Sequence, residues 1–333
     1  MSRLTIPEPE IELYKDGFKP HATGKLHDQL GREPTGKALS DLVDRIAEPM
    51  VIALDGGWGS GKSFFLKCWV GEHLKREQNT TQTVYFDAFK HDFVDEPLIS
   101  LMGVIEDRFE DEDVKDKTWK KRFAGTVSVA KRLLKPTLRI GAAVGTGMAS
   151  EVAIAAIGTE KIDTVVDGAI DAGLKGIGAE ASAAVDELWK SEAGRRQAMT
   201  EFRKSLIALS EPVKEKPAEA EDEAAKTPDE QKPRHRKLVI VVDELDRCRP
   251  DYALSLLELI KHFFDVPHVH FVLGVNMREL ENSVKARYGG GINAGLYLQK
   301  FVTLTMGLPT TTNAFEGKSL STSYFEKTLQ EWA

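Results

Sequence analysis

Cysteine is scarce in this sequence, since only Cys68 and Cys248 occur among its 333 residues. Their separation matches no metal-ligand motif and suggests no disulfide framework, so we expect a reducing compartment. A basic excess is also absent, because the formal net charge is −7, and this argues against a surface that is basic throughout and shaped for nucleic acid. The stretch from Met1 to Phe18 is polar and of mixed charge, without a secretory signal. These absences predict a cytoplasmic protein.

Short apolar runs, rather than long ones, indicate the fold. They predict buried strands at 50–54, 84–86, 237–242, 269–275 and 302–306. Apolar residues at helical spacing and stretches without breakers predict helices at 31–47, 64–76 and 96–109. Strands that alternate with helices are typical of βαβ units, so we expect an α/β fold with a mostly parallel sheet.

The middle of the chain interrupts this alternation. Three predicted strands lie beyond residue 236, which makes residues 115–210 an insertion into the sheet domain, basic at first and then rich in alanine and glycine. Residues 211–236 carry mixed charges and little that could be buried, so we predict a disordered linker there. The other predicted boundaries are an N-terminal arm at 1–26, sheet-domain parts at 27–114 and 237–308, and the start of a helical region at 309–333.

A glycine-rich segment follows the first predicted strand and matches the pattern G-x-x-x-x-G-K-S: Gly56-Gly57-Trp58-Gly59-Ser60-Gly61-Lys62-Ser63. Glycines let the backbone curl so that successive N–H groups point at phosphate oxygens, and the helix that follows adds its positive end. In this pattern Lys62 reaches the β- and γ-phosphates, while the Ser63 hydroxyl binds Mg²⁺. We therefore predict that residues 56–63, together with Phe64, bind a nucleotide, with Trp58 packing or positioning the loop.

Two carboxylates end the apolar strand at 237–242, namely Asp243 and Glu244. In nucleoside triphosphatases with such a glycine loop, an aspartate at this place holds Mg²⁺, which assigns Asp243 to the metal together with Ser63. A glutamate directly after it can orient and deprotonate an attacking water, so Glu244 is the predicted general base.

Two further residues allow two interpretations each. Asn276 follows the strand at 269–275 and is either a sensor of the γ-phosphate or a turn or helix-cap residue. Arg247 is either an arginine finger that stabilises the γ-phosphate charge of a neighbouring subunit, or the partner of Asp246 in a local ion pair.

Together these segments resemble the KAP family of P-loop NTPases over residues 27–110 and 237–308. The most specific segment runs from Asp243 to Cys248, because both acids and the trailing Arg-Cys follow the family pattern. The other matching segments are Leu30-Gly31-Arg32, Gly57 to Ser63, Val275-Asn276 and Tyr297-Leu298-Gln299-Lys300-Phe301. Phe86-Asp87-Ala88-Phe89 corresponds to a Phe-Asn-Ala-Trp segment of the family and departs from it at two positions.

This resemblance implies a three-layer α/β fold with an additional strand and the sheet order 5-1-4-3-2. It also implies ATP hydrolysis with Mg²⁺, a large insertion between the phosphate loop and the acidic strand end, and a helical region after the sheet. That last region is short or truncated in a chain that stops at Ala333. Some family members are membrane-linked, and bacterial members, among which we expect this chain, are associated with phage exclusion.

A membrane span in the insertion is not expected. Residues 140–157 are barely long enough, are rich in alanine and glycine, and contain Glu151. Because Lys62 and Asp243 must meet around one nucleotide, an even number of crossings must separate them, and the second candidate, 164–179, holds three charges. The basic stretch at 115–139 leaves three alternatives open: a solvated helical protrusion, contact with an anionic membrane surface, and, less favoured, nucleic acid.

Two functional hypotheses follow. The first is an ATPase that acts as a switch or motor subunit, as a homo-oligomer or with a partner effector protein, with antiviral defence as a role suggested by family analogy. The second is a scaffold that holds ATP with little turnover and recruits a partner or a membrane surface through its insertion. Glu244 favours the first.

Overall fold

The computed structural model describes residues 11–19, 30–77, 79–110, 192–211, 235–263 and 266–310. The chain divides into two compact units, one formed by residues 1–108 with 209–333 and the other by residues 109–208. The first unit holds the sheet and all residues of the predicted site. Of the second unit the structure describes 109–110 and 192–208, which lie in helices.

Five strands form one sheet in the order β2-β3-β4-β1-β5, and every pair of neighbours is parallel. The strands are β1 Met50–Asp55, β2 Thr81–Asp87, β3 Lys237–Asp243, β4 Val269–Val275 and β5 Leu304–Gly307. Read from the other edge, this order is 5-1-4-3-2, which confirms the topology implied by the resemblance. In the register Asp243 lies beside Asp87 on one side and Gly274 on the other, so the carboxyl ends of these strands meet at one edge.

Eight helices are described along the chain: α1 Glu33–Arg45, α2 Lys62–Leu74, α3 Ala88–His91, α4 Pro97–Glu110, α5 Glu192–Leu209, α6 Pro250–Lys261, α7 Met277–Tyr288 and α8 Ala294–Leu298. A 3-10 turn, Leu245–Arg247, joins β3 to α6. Proline at the start of α1 and of α6 fits positions where the backbone N–H has no helical partner. Among the described residues no helix is long and apolar enough to cross a membrane.

Both faces of the sheet are buried, which makes three layers. Val239 and Val241 point to the face that α1 and α2 cover, whereas Ile240 and Val242 point to the opposite face. On that opposite face the Phe271 ring lies 6.4 Å from the ring that follows α6, Phe263. Burial on both faces explains why the strands read as continuous apolar runs.

The predicted elements agree with the structure except near their ends. The strand predicted at 84–86 is longer, and the strand predicted at 302–306 begins only at Leu304. The reason is that Val302 N–H still donates to the carbonyl of Leu298 and completes the turn after α8. The predictions for most of the insertion, for residues 212–234 of the linker, for the arm outside 11–19 and for residues beyond 310 lie outside the described residues.

Residues 11–19 pack on α2, the helix that begins at the glycine loop. A Cβ added at Gly71 would lie 1.9 Å from the carbonyl oxygen of Asp16. Nearby, the Phe18 and Phe65 rings lie 5.5 Å apart, and the Trp69 indole donates to the carbonyl of Gly36 at 3.1 Å. These contacts hold α2 against α1 and against residues 11–19.

Gly71→Ala is expected to destabilise the protein by about 1–3 kcal/mol, because the new methyl group must displace backbone rather than a flexible side chain. The matched control is Gly103→Ala in α4, where a Cβ meets nothing within 4 Å. That variant should be stabilised by roughly 0.5–1 kcal/mol, because alanine favours a helix interior over glycine. Urea unfolding measures both changes, and equal effects of the two substitutions would contradict the packing described for residues 11–19.

Candidate functional site

The glycine segment curls between β1 and α2. Gly59 and Gly61 adopt left-handed backbone conformations, with φ of 74° and 79°, which glycine tolerates without a steric penalty. The N–H of Gly56 donates to the carbonyl of Val275 at 3.1 Å and ties the start of the loop to β4. The loop therefore lies between a buried strand and a helix start, as the sequence predicted.

Lys62 fills the inside of this loop. Its ammonium donates to the carbonyl of Gly56 at 2.6 Å and to that of Gly57 at 3.2 Å, and the side chain is buried. The Ser60 hydroxyl oxygen is also buried, and it has no hydrogen-bond partner among the residues that the structure describes. Since the first N–H groups of a helix also have no partner within it, donors collect at this point, as an anion requires.

Asp243 is fully buried at the end of β3, where three donors hold its carboxylate. The Tyr85 hydroxyl donates to Oδ2 at 2.5 Å, and the N–H of Glu244 donates to Oδ1 at 2.9 Å. The Ser63 hydroxyl hydrogen-bonds to the same carboxylate. Burial raises the pKa of Asp243, whereas the bonds from Tyr85 and Ser63 lower it. The structure thus brings together Ser63 and Asp243, which are far apart in the chain.

Gly274 has no side chain, and this leaves room for the Asp243 carboxylate. A Cβ at Gly274 would lie 2.4 Å from Oδ1 of Asp243 and 2.4 Å from the Leu66 Cδ1 atom. No larger residue fits this position of β4 unless the carboxylate or the core moves.

Glu244 adopts a left-handed conformation, with φ of 58°, directly after β3. Its carboxylate forms an ion pair with Arg247 Nη1 at 2.7 Å. Burial raises the pKa of Glu244, and the Arg247 charge lowers it. The ion pair expected between Arg247 and Asp246 is therefore wrong in its partner, because the 3-10 turn places Arg247 three residues after Glu244 and directs the guanidinium back to it.

Asp246 contacts the glycine loop instead. Its Oδ2 accepts a hydrogen bond from the Trp58 indole at 2.8 Å, although the Trp58 side chain is 60% exposed. This bond joins the loop to the turn after β3, and it supports the positioning role predicted for Trp58.

Asn276 caps α7 in this structure. Its side-chain oxygen accepts from the N–H of Arg278 at 3.2 Å, and the Asp55 carboxylate accepts from the N–H of Met277 at 2.9 Å. Asn276 lies at the same edge of the sheet as Asp243. The cap interpretation describes these contacts, and the sensor role stays a prediction.

Sequence reasoning assigned no role to Tyr85 and Arg32. Arg32 is buried and donates to the carbonyl of Ser60 at 2.6 Å and to that of Pro309 at 2.9 Å, so it joins the loop to the segment after β5. Arg32 belongs to a segment of the family pattern, but the sequence did not indicate which contacts its side chain makes. The contact of Tyr85 with Asp243 depends on the register in which β2 pairs with β3, and the sequence alone does not reveal that register.

A glycine loop at the end of β1, a helix that begins inside it, an acid at the end of β3 and the order 5-1-4-3-2 define a P-loop NTPase of the additional-strand class. The model of the family described as "KAP family P-loop domain" matches residues 32–332. The chain belongs to this family, and it carries the family's nucleotide-binding fold.

Two solved structures of the ORC2 protein of Aeropyrum pernix are similar to this chain. The one with ADPNP and ADP is 13% identical, with a TM-score of 0.36, and the alignment covers 84% of this chain and 48% of that one. The ADP form is 12% identical, with a TM-score of 0.35, and the alignment covers 90% of this chain and 51% of that one. The chain thus spans about half the length of these proteins. No curated protein matches it.

Proposed function

We propose that the protein binds ATP together with Mg²⁺ and hydrolyses it by in-line attack of water. The observation that carries this proposal is the contact between Ser63, at the start of the phosphate-loop helix, and the buried carboxylate of Asp243. A hydroxyl oxygen and a carboxylate oxygen side by side are the hard donors that Mg²⁺ prefers. Their position beside a loop with unpartnered donors fits a metal held against phosphate.

The residues of the loop would bind and orient the triphosphate. Lys62 already lies inside the loop, and its ammonium can exchange the carbonyls of Gly56 and Gly57 for phosphate oxygens. The backbone N–H groups at the start of α2 add fixed dipoles that favour negative charge. Mg²⁺, when bound by Ser63 and Asp243, would neutralise charge that develops on the transferred phosphoryl group.

Glu244 would orient the water and accept its proton. It directly follows Asp243, and burial raises its pKa, which makes the carboxylate a better proton acceptor than an exposed glutamate. The Arg247 guanidinium pairs with Oε1 of this carboxylate at 2.7 Å, so its positive charge lies beside the group proposed to hold the water.

The output of hydrolysis is part of the same proposal. A switch or motor subunit that works as a homo-oligomer or with a partner effector protein fits a fold whose acidic turn and phosphate loop are joined by the bond from Trp58 to Asp246. A role in antiviral defence rests on family analogy alone. Contact with a membrane surface rests on the basic stretch at 115–139, which lies outside the described residues. The alternative, a scaffold of low turnover, uses the same binding residues.

Lys62→Ala tests nucleotide binding. Loss of a charged donor to phosphate should weaken ATP affinity by roughly 10- to 100-fold, which corresponds to about 1.5–3 kcal/mol. Lys75→Ala is the matched control, because it removes the same charge from the other end of α2, where the side chain is exposed. Calorimetric titration with ATP and Mg²⁺ measures both affinities. If Lys62→Ala bound ATP as the wild type does, the proposed site would be wrong.

A further inference from the structure

Tyr85 carries a polar hydroxyl group into the hydrophobic core. It lies in β2 opposite Val241 of β3, so its side chain shares a face of the sheet with Val241 and with Asp243, two residues further on. The ring belongs to the core between the sheet and α2, and the hydroxyl reaches along the neighbouring strand to Asp243 Oδ2 at 2.5 Å. A phenylalanine would fill the same space, so packing alone does not account for the hydroxyl.

The three donors to Asp243 come from three parts of the fold. Tyr85 belongs to β2, Ser63 to α2, and the N–H of Glu244 to the chain that leaves β3. Ser63 and Glu244 belong to the segments on either side of the proposed metal site. The Tyr85 hydroxyl is the donor that comes from a neighbouring strand, and it holds Oδ2. Because Asp243 is fully buried, water cannot take the place of this donor if it is removed.

We propose that Tyr85 is a positioning residue for the metal site, whose hydroxyl fixes the Asp243 carboxylate in the orientation in which it contacts Ser63. This inference rests on the proposed function, since it presupposes Mg²⁺ at Ser63 and Asp243. Residues that hydrogen-bond to a metal-binding carboxylate orient it and tune its affinity, and their loss costs roughly 10- to 100-fold in metal affinity or activity. Tyr85 acts through Asp243 and has no contact with nucleotide in this account.

The test is the Mg²⁺ dependence of ADP binding to the full chain, without turnover. For Tyr85→Phe, the apparent Mg²⁺ dissociation constant that enhances binding of a fluorescent ADP should rise about tenfold or more. ADP affinity in EDTA should stay within about twofold of the wild type, because no phosphate contact changes. Tyr252→Phe is the matched control: it also removes a buried phenol hydroxyl, from α6, and should leave the Mg²⁺ curve unchanged. Tyr85→Leu is the second variant, in case Tyr85→Phe fails to fold, and should give the same shift.

The possible outcomes distinguish a failure of this inference from a failure of the proposed function on which it rests. An unchanged Mg²⁺ curve for Tyr85→Phe, or an equal loss of ADP affinity with and without Mg²⁺, would overturn the role of Tyr85 and leave the proposed function intact. A wild-type protein that binds no ADP, or binds it without any influence of Mg²⁺, would overturn both. A shift in Tyr85→Phe that Tyr252→Phe does not share supports the inference.

Discussion

Glu244→Gln is expected to lower ATP turnover by about 10²- to 10⁴-fold while ATP affinity stays within about threefold of the wild type. The amide keeps the shape of the side chain but cannot accept a proton from water. It also loses the charge that pairs with Arg247 at 2.7 Å, so the ion pair is weakened to a hydrogen bond from the guanidinium to a neutral amide oxygen. Phosphate release under saturating ATP measures the first effect, and titration with ATP measures the second.

The control for Glu244→Gln is Asp251→Asn, the same chemical change at the exposed first turn of α6, where the carboxylate pairs with Arg287 at 3.0 Å. Its turnover should equal that of the wild type. Two results would argue against an ATPase with Glu244 as its base. Undiminished turnover in Glu244→Gln would assign the base elsewhere, and negligible turnover of the wild type would favour the scaffold.

The parts of the site that could be predicted are those determined by residues close to one another in the sequence. The glycine loop carries its own signal, since the backbone conformations of Gly59 and Gly61 and the helix start at Lys62 follow from local residue types. Asp243 was predicted because an apolar strand that ends in an acid is also local. The sheet order came from the resemblance rather than from periodicity, and the structure confirms it.

The parts that sequence missed depend on register and on side-chain direction. The hydroxyl of Tyr85 meets Asp243, which is 158 positions away, only because β2 and β3 pair with one particular offset. The ion pair predicted for Arg247 was with Asp246, but Glu244 also lies within reach of a long side chain in this short turn. The geometry of the turn decided between them, with Glu244 at φ of 58°.

Two histidines are buried at the other end of the sheet, away from the phosphate loop. His270 lies in β4 beside Met50 and Val239, and His73 lies in α2 with its Nδ1 atom 2.9 Å from the Ser40 hydroxyl. Burial is the main cause that lowers the pKa of His270 to about 3 and that of His73 to about 4. Both imidazoles are therefore neutral in the folded protein at neutral pH.

Positive charges around these histidines act in the same direction as burial. Lys237 donates to the carbonyl oxygens of Val43, Asp44 and Ile46 and lowers the pKa of both imidazoles through its charge. Arg76 acts in the same way on His73, and His268 on His270. An opposing contact is the Asp44 carboxylate, 3.8 Å from His73 Nε2. The neighbourhood thus disfavours an imidazolium at either position.

Acid is expected to unfold the protein through these two groups. In the unfolded chain both histidines bind a proton near pH 6.5, whereas in the folded chain they do so only near pH 3–4. Between these pH values the unfolded state binds more protons than the folded state. The contribution of the two neutral histidines to the free energy of unfolding is therefore fully present above pH 6.5 and is lost as the pH falls. At pH 5 the loss is about 2 kcal/mol for each histidine, or about 4 kcal/mol together. That is a large part of the 5–15 kcal/mol that stabilises a typical domain.

His270→Leu isolates this effect. Buried carboxylates whose pKa is raised, such as Asp243, oppose the histidines, but they contribute equally to both proteins and cancel in the comparison. Between pH 7 and pH 5 the wild type should lose about 2 kcal/mol more unfolding free energy than His270→Leu, measured by urea titration at each pH. His262→Gln, at an exposed position after α6, should follow the wild type. Parallel pH profiles for the wild type and His270→Leu would show that His270 takes up its proton at the same pH in the folded and the unfolded protein, and would contradict the lowered pKa.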